Sequence, residues 1–205
     1  MHFDSQPVLK GELVELRPLR ADDYGALFAV ASDPLLWQQH PAEDRHESSG
    51  FQKFFDGALA SDSVLAAIDT RSGDLIGSSR YHGYDANRSE IEIGWSFLAR
   101  SHWGGTYNGE MKRLMLTHAF RFVERVVLLV GPDNLRSQWA VEKIGGVRAG
   151  SRPDAALWVL DEVDPRWRAP IRAAMRVYDD AATPADAPVL KEALAPFVAA
   201  VRDRC

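Results

Sequence analysis

The sequence predicts an α/β domain, and three observations carry that expectation. Helix-like apolar spacing alternates with short strand-like runs from Glu12 to Val163. The order is clearest between Ile91 and Val147. There a strand is followed by a glycine-containing loop, an amphipathic helix, a short apolar strand, an Asn-capped helix and a Gly-Gly stop. A chain of 205 residues, 46% apolar and 26% charged, is long enough to bury one sizeable core and ordinary for a globular protein.

The elements follow in order. Leu13, Val14 and Leu16, with Glu15 and Arg17 between, make Glu12 to Leu19 a first strand that ends at Pro18. Asp22 or Asp23 can cap a helix that puts Tyr24, Leu27, Phe28 and Ala31 on one face, and Asp33-Pro34 stops it. Residues 35–46 look irregular. Ser48 or Ser49 can cap a second helix carrying Phe51, Phe54, Phe55, Ala58 and Leu59. Val64 to Asp69 and Leu75 to Tyr81 form a hairpin across Ser72-Gly73-Asp74. After a turn at Asp85-Ala86-Asn87, Glu90 to Leu98 alternates, which puts Ile91, Ile93, Trp95 and Phe97 on one face and Glu90, Glu92, Gly94 and Ser96 on the other.

A helix over 108–123 carries a stripe of Met111, Leu114, Met115, His118, Ala119 and Phe122. Val126 to Val130 is continuously apolar, as in a strand buried on both faces. Asn134 caps the next helix, which ends at Gly145-Gly146. Val147 to Arg152 and Ala156 to Val163 make a last hairpin across Pro153-Asp154. Beyond Asp164 the pattern weakens. Ile171 to Tyr178 suits helix or strand, and Leu190, Leu194, Phe197, Val198 and Val201 form a stripe broken by Pro196. The division expected is a domain over 1–163 and a C-terminal extension over 164–205, helical and packed on the domain or on a second subunit.

Charge and cysteine usage exclude several classes. A net charge of −5 argues against nucleic acid as the main partner. The one cysteine, Cys205, allows no intramolecular disulfide, which fits a cytoplasmic protein. No apolar run reaches the roughly 18–20 residues that span a bilayer, so no membrane partner is expected, and Met1 to Ser5 does not begin a signal peptide. The six histidines lack metal-ligand spacing, which predicts no metal site.

The loop Trp103-Gly104-Gly105-Thr106-Tyr107-Asn108 precedes a helix. Free backbone N–H groups and the helix dipole both favour an anion such as phosphate there, although such a loop is also an ordinary turn. Downstream lie Asn134-Leu135-Arg136-Ser137 and Glu142-Lys143-Ile144-Gly145-Gly146-Val147. The ordered pair, with one helix and one strand between, resembles the acyl-CoA core of the GNAT N-acetyltransferases over roughly residues 10–152. It looks most like the branch that includes ribosomal-protein N-terminal acetyltransferases.

That resemblance implies a central mixed, mostly antiparallel twisted sheet flanked by helices. It also implies acetyl-CoA as cosubstrate and direct transfer to a primary amine, a protein N-terminus or a small molecule. In the family's loop pattern Trp103 takes the first position, Thr106 the first conserved glycine and Asn108 the second small residue, the last two being departures. The implied cofactor contacts are Phe97, Leu98 and Ala99 on a splayed strand, Trp103, Gly104, Gly105, Thr106, Tyr107 and Asn108 in the loop, and Asn134 and Ser137. Where many members have a thiolate-protonating tyrosine this chain has Val141. Ser137 is therefore a candidate to bind or protonate the sulfur, or simply to close the first helical turn.

A carboxylate beside the acceptor amine can take its proton. Glu92 is the candidate base and Glu90 an alternative, unless their face is merely solvated; His82 and His102 are weaker candidates. Trp37, His40, Tyr81, Tyr84 and Trp158 are candidates to line the acceptor pocket, where Asp and Glu would suit a cationic amine. Two other classes stay open. Thr106, Asn108 and Val141 suit a GNAT-shaped module that binds an acyl-CoA without turnover, and the tail suits an assembly role, including a homodimer.

Overall fold

The computed structural model describes residues 2–40, 42–104, 106–152 and 155–161. The expected extension over 164–205 lies outside them. Eight strands form one sheet: β1 (Leu9–Lys10), β2 (Val14–Pro18), β3 (Val64–Asp69), β4 (Leu75–Asp85), β5 (Glu90–Leu98), β6 (Arg125–Val130), β7 (Val147–Arg152) and β8 (Ala155–Asp161). Their order is β1-β2-β3-β4-β5-β6-β8-β7, and every pairing is antiparallel except that of β5 with β6. This is the mixed, mostly antiparallel sheet expected. The last hairpin folds back so that β8, not β7, pairs with β6.

Among the described residues four α-helices accompany the sheet: α1 (Tyr24–Ala31), α2 (Ser48–Ala60), α3 (Tyr107–Ala119) and α4 (Leu135–Lys143). The segment read as irregular contains two single turns of 3-10 helix, Pro34–Leu36 and Glu43–His46. Neither Ser48 nor Ser49 caps α2; the position before it is Glu47, which makes no side-chain cap. Asp23 serves differently from a simple cap. Its carboxylate takes both guanidinium nitrogens of Arg17, at 2.7 and 2.6 Å, and the Arg20 backbone N–H.

Two apolar clusters divide the packing. One joins the stripe of α3 (Met111, Leu114, Met115, Ala119) to Ile91 and Ile93 of β5, to Val126 and Leu128 of β6, and to Val141 and Ile144 of α4. The other joins Leu27 and Ala31 of α1 and Phe51, Phe55 and Ala58 of α2 to Val64 and Ala66 of β3. Complete burial of a side chain such as Ile91 contributes roughly 1.5–3 kcal/mol. Glu110 of α3 fastens the β1–β2 turn, its carboxylate accepting the backbone N–H groups of Glu12, Leu13 and Val14 at 3.0, 2.7 and 2.8 Å. That contact ties the first turn of α3 to the β1–β2 turn.

The β5 alternation does not run to the end of the strand. Trp95 has φ 50°, and three residue steps of β5, Gly94 to Phe97, oppose two of β4, Arg80 to Ser78. One extra residue therefore sits in β5, a bulge that exchanges the faces beyond it. Trp95 lies with Arg80, whose guanidinium carbon is 4.7 Å from its ring, and with His82, 5.2 Å between ring centroids. Phe97 packs against the α1/α2 cluster, whereas Leu98 joins Ile91 and Ile93. Ser96 turns toward α3, where its hydroxyl meets Lys112.

Candidate active site

β5 is paired with β6 only through Glu90–Arg125, Ile91–Val126 and Glu92–Val127. From Ile93 onward the two parallel strands part, while β4 continues to hold β5 on its other edge. Parted strands leave backbone donors and acceptors without a ladder, and such groups call for another partner. The Ala99 N–H bonds the Ile76 carbonyl at 2.7 Å, and the Phe97 carbonyl faces Gly77, where a Cβ would come within 2.0 Å of it. Residues 97 and 99 thus address β4. The alternation of backbone direction then turns Ser96 and Leu98 toward the gap.

A cavity lies beside this gap. Its walls include Ser96, Phe97 and Leu98 of β5, Trp103 and Gly104 of the loop, Asn108 of α3, and Asn134, Arg136 and Ser137 at the start of α4. Leu36, Trp37 and His40 close it from the segment after α1. The elements converge for local reasons. The Asn134 side chain accepts the Ser137 N–H at 3.1 Å, which starts α4, and Asn134 is itself buried. Gly104 has φ 70°, a backbone that favours glycine at the loop's turn.

Thr106 is the N-cap of α3 with φ −83° and makes no side-chain cap, so its β-branch is unstrained and the first-turn N–H groups face no capping hydroxyl. Gly105 lies outside the described residues. Tyr107, the first residue of α3, points its hydroxyl away from the loop to Asp69, donating to Oδ2 at 3.1 Å. The His102 ring nitrogen Nε2 lies 3.3 Å from the same oxygen. Asp69, at the end of β3, so pins both sides of the loop, and the Arg71 backbone N–H together with these two groups holds its carboxyl below the usual range. Asp69 gave no sequence signal, since a strand-end aspartate before a turn is common.

Trp103 donates its indole N–H to the Leu98 carbonyl at 2.9 Å, tying the loop to the end of β5. Over its ring, at 4.0 Å, lies the Arg136 guanidinium, which also donates to the Leu36 carbonyl at 2.9 Å. Arg136 carries no sequence signal of its own, although it lies inside the Asn134–Ser137 motif. It gives the cavity positive charge. No Asp or Glu is among the described residues of the lining. His40 adds no charge of its own near neutral pH. Burial, and then the nearby Arg45, push its pKa down to about 4.

Of the aromatic candidates, Trp37 and His40 line the cavity. Tyr81 and Trp158 are core residues, 1% and 4% exposed, with the Tyr81 hydroxyl donating to the Met115 carbonyl at 2.8 Å. Tyr84 is stacked on Phe3. Val141, at the position of the family's tyrosine, is buried in the core. Glu92 pairs with His82 and Val127 at the last rung before the strands part. Its carboxylate leans over Gly94, where an added Cβ would lie 3.1 Å from Oε1. It is directed along β5 toward the open half without lining the cavity.

The family model for the acetyltransferase (GNAT) domain matches residues 14–147. The chain belongs to the GNAT acetyltransferase family. Membership makes it an acetyltransferase with acetyl-CoA as cosubstrate, and the parted strands, uncapped α3 terminus and Asn134 cap fit such a molecule. Solved GNAT folds superpose on it. A GCN5-related N-acetyltransferase from Brucella melitensis is 23% identical, covering 87% of this chain and 86% of that one, with a TM-score of 0.68. The Mycobacterium smegmatis RimJ in complex with CoA-disulfide is 19% identical, covering 80% and 92%, with a TM-score of 0.61. The Vibrio cholerae spermidine N-acetyltransferase, with CoA and spermine, is 15% identical, covering 74% and 96%, with a TM-score of 0.59. No protein of curated function matches the chain in sequence. Among the described residues no helix is long and apolar enough to cross a membrane, and no group of three His, Cys, Asp or Glu could hold a metal ion.

Proposed function

We propose that this acetyltransferase moves an acetyl group directly from acetyl-CoA to a primary amine that carries no further cation close to the reacting nitrogen. A protein N-terminus or a small mono-amine meets that description. The observation that carries the reading is the gap between β5 and β6 opening onto a cavity where, among the described lining residues, the fixed charge is the Arg136 guanidinium. A polyamine would set its second cation against that charge with no lining carboxylate to receive it.

Transfer needs a neutral amine, whose lone pair forms the C–N bond as the C–S bond breaks. One proton leaves the nitrogen and one is gained by the sulfur. Glu92, leaning toward the open half of β5, is the group for the first proton, directly or through a water. Ser137, on the cavity wall at the first turn of α4, is the group for the sulfur. Backbone N–H groups at the start of α3 and the Gly104 turn receive the diphosphate. A thiol-release assay with acetyl-CoA over peptides, mono-amines and polyamines tests the reading. Release with peptides or mono-amines, and little with spermidine, is expected. Preference for the polyamine would overturn the acceptor assignment, and binding of acetyl-CoA without release across the panel would overturn turnover.

A further inference from the structure

We propose that the Ser96 hydroxyl, backed by a direct hydrogen bond from the buried ammonium of Lys112, donates a hydrogen bond to the thioester carbonyl oxygen of acetyl-CoA. The proposal rests on the acetyl-transfer reading and adds to it a side-chain donor at the reacting carbonyl, with Lys112 as its positioning residue.

Lys112 sits on the inner side of α3 and is 6% exposed. Its Nζ donates to Ser79 Oγ of β4 at 3.3 Å and to Ser96 Oγ of β5, and the two serine oxygens are 2.7 Å apart. Among the described residues Lys112 makes no ion pair, so this cation is buried against hydroxyls alone. Such burial is costly, and it lowers the amine's pKa to about 7. Negative charge arriving nearby would relieve it.

The donors around Lys112 place that charge beside Ser96. In its charged form Lys112 has three N–H groups and no lone pair, so both serine oxygens then act as its acceptors. Ser79 is fully buried, and the neighbour available to its own hydrogen is Ser96 Oγ. Ser96 then accepts twice. Its remaining hydrogen faces only a long contact, 3.3 Å, to the Gly94 carbonyl. Of the three residues, Ser96 alone lines the cavity, on the unpaired half of β5. The bulge at Trp95 is what turns it onto the α3 side. A hydroxyl accepting from an ammonium is a stronger donor. One fixed where negative charge develops on an oxygen lowers the barrier, and does little for ground-state binding.

The test pairs kinetics with a vibrational readout on Ser96→Ala and Lys112→Met, each first checked for its fold by circular dichroism. Ser96→Ala removes one oxygen at a cavity wall and carries the test should Lys112→Met not fold. With acetyl-CoA labelled by 13C at the carbonyl and no acceptor present, the bound carbonyl stretch is expected at lower frequency than in solution for the native protein, and back toward the solution value in Ser96→Ala. The kcat is expected to fall about 10²-fold, with the KM for acetyl-CoA nearly unchanged. A carbonyl stretch that is the same in Ser96→Ala and native protein overturns the proposal, with or without a fall in kcat. A native protein that does not bind acetyl-CoA overturns the acetyl-transfer reading itself. Native turnover with an unmoved stretch overturns this inference alone.

Discussion

The two halves of β5 do opposite work. From Glu90 to Glu92 the strand is laddered on both edges, to β4 and to β6, and Ile91 is 1% exposed. From Ile93 to Leu98 it is laddered to β4 only, and the edge toward β6 faces a cavity. The closed half has its backbone laddered on both sides and Ile91 in the core, so it contributes stability. The open half keeps backbone and hydroxyl groups available to a ligand. The bulge separates them. A tryptophan at φ 50° costs of order 1–3 kcal/mol, which packing of Trp95 with Arg80 and His82 offsets. A site built this way is held by the rigid sheet beside it.

Substitution separates the two halves most strongly. Ile91→Ala in the closed half is expected to lower unfolding free energy by about 2–5 kcal/mol, seen as a lower denaturant midpoint, with kcat of the folded protein unchanged. Equal loss of kcat would mean that the halves are not separable. Glu92→Gln, at the boundary, is expected to lower kcat about 10²-fold while leaving the denaturant midpoint nearly in place. Retained activity would remove Glu92 as the base.

The difference between the halves also decides what could be read from sequence. Most strand positions, the α3 stripe through Ala119 and the Asn134 cap follow from periodicity and capping residues, whereas β1 was not expected and α3 ends before Phe122. The bulge does not follow, because Gly94-Trp95-Ser96 continues the alternation as well as it breaks it. Trp95, Ser96 and Phe97 were therefore placed on the wrong faces, and Ser96 was not a candidate. Lys112 was passed over for a related reason. A lysine next to Met111 reads as the solvated edge of the stripe, yet Leu116, four residues on, is 1% exposed, so the stripe is wide enough to take Lys112 inside. The absence of carboxylates among the described lining residues depends on which loops meet, and no local spacing encodes that.

Smaller effects sharpen the contrast. Asn134→Ala removes the α4 cap at the cavity wall and is expected to cost about 1 kcal/mol of stability, with weaker acetyl-CoA binding by calorimetry. Unchanged affinity would make Asn134 structural only. The least effect is a pH slope. His40 is held neutral in the folded chain, with its pKa pushed from 6.5 to about 4 by burial and Arg45. The unfolded chain binds that proton more readily, so stability is complete above about pH 6.5 and declines as pH falls toward 4. His118, also lowered by burial, works in the same direction. Thermal melts across this range should show a shallower decline for His40→Asn than for native protein, and an identical slope would contradict the assignment.

The most direct measurement is a crystal structure of the chain with coenzyme A. The diphosphate is expected against the backbone N–H groups at the start of α3, and the pantetheine along Ser96 and Leu98 where β5 parts from β6. A coenzyme bound elsewhere, with β5 and β6 laddered together beyond Glu92, would contradict it.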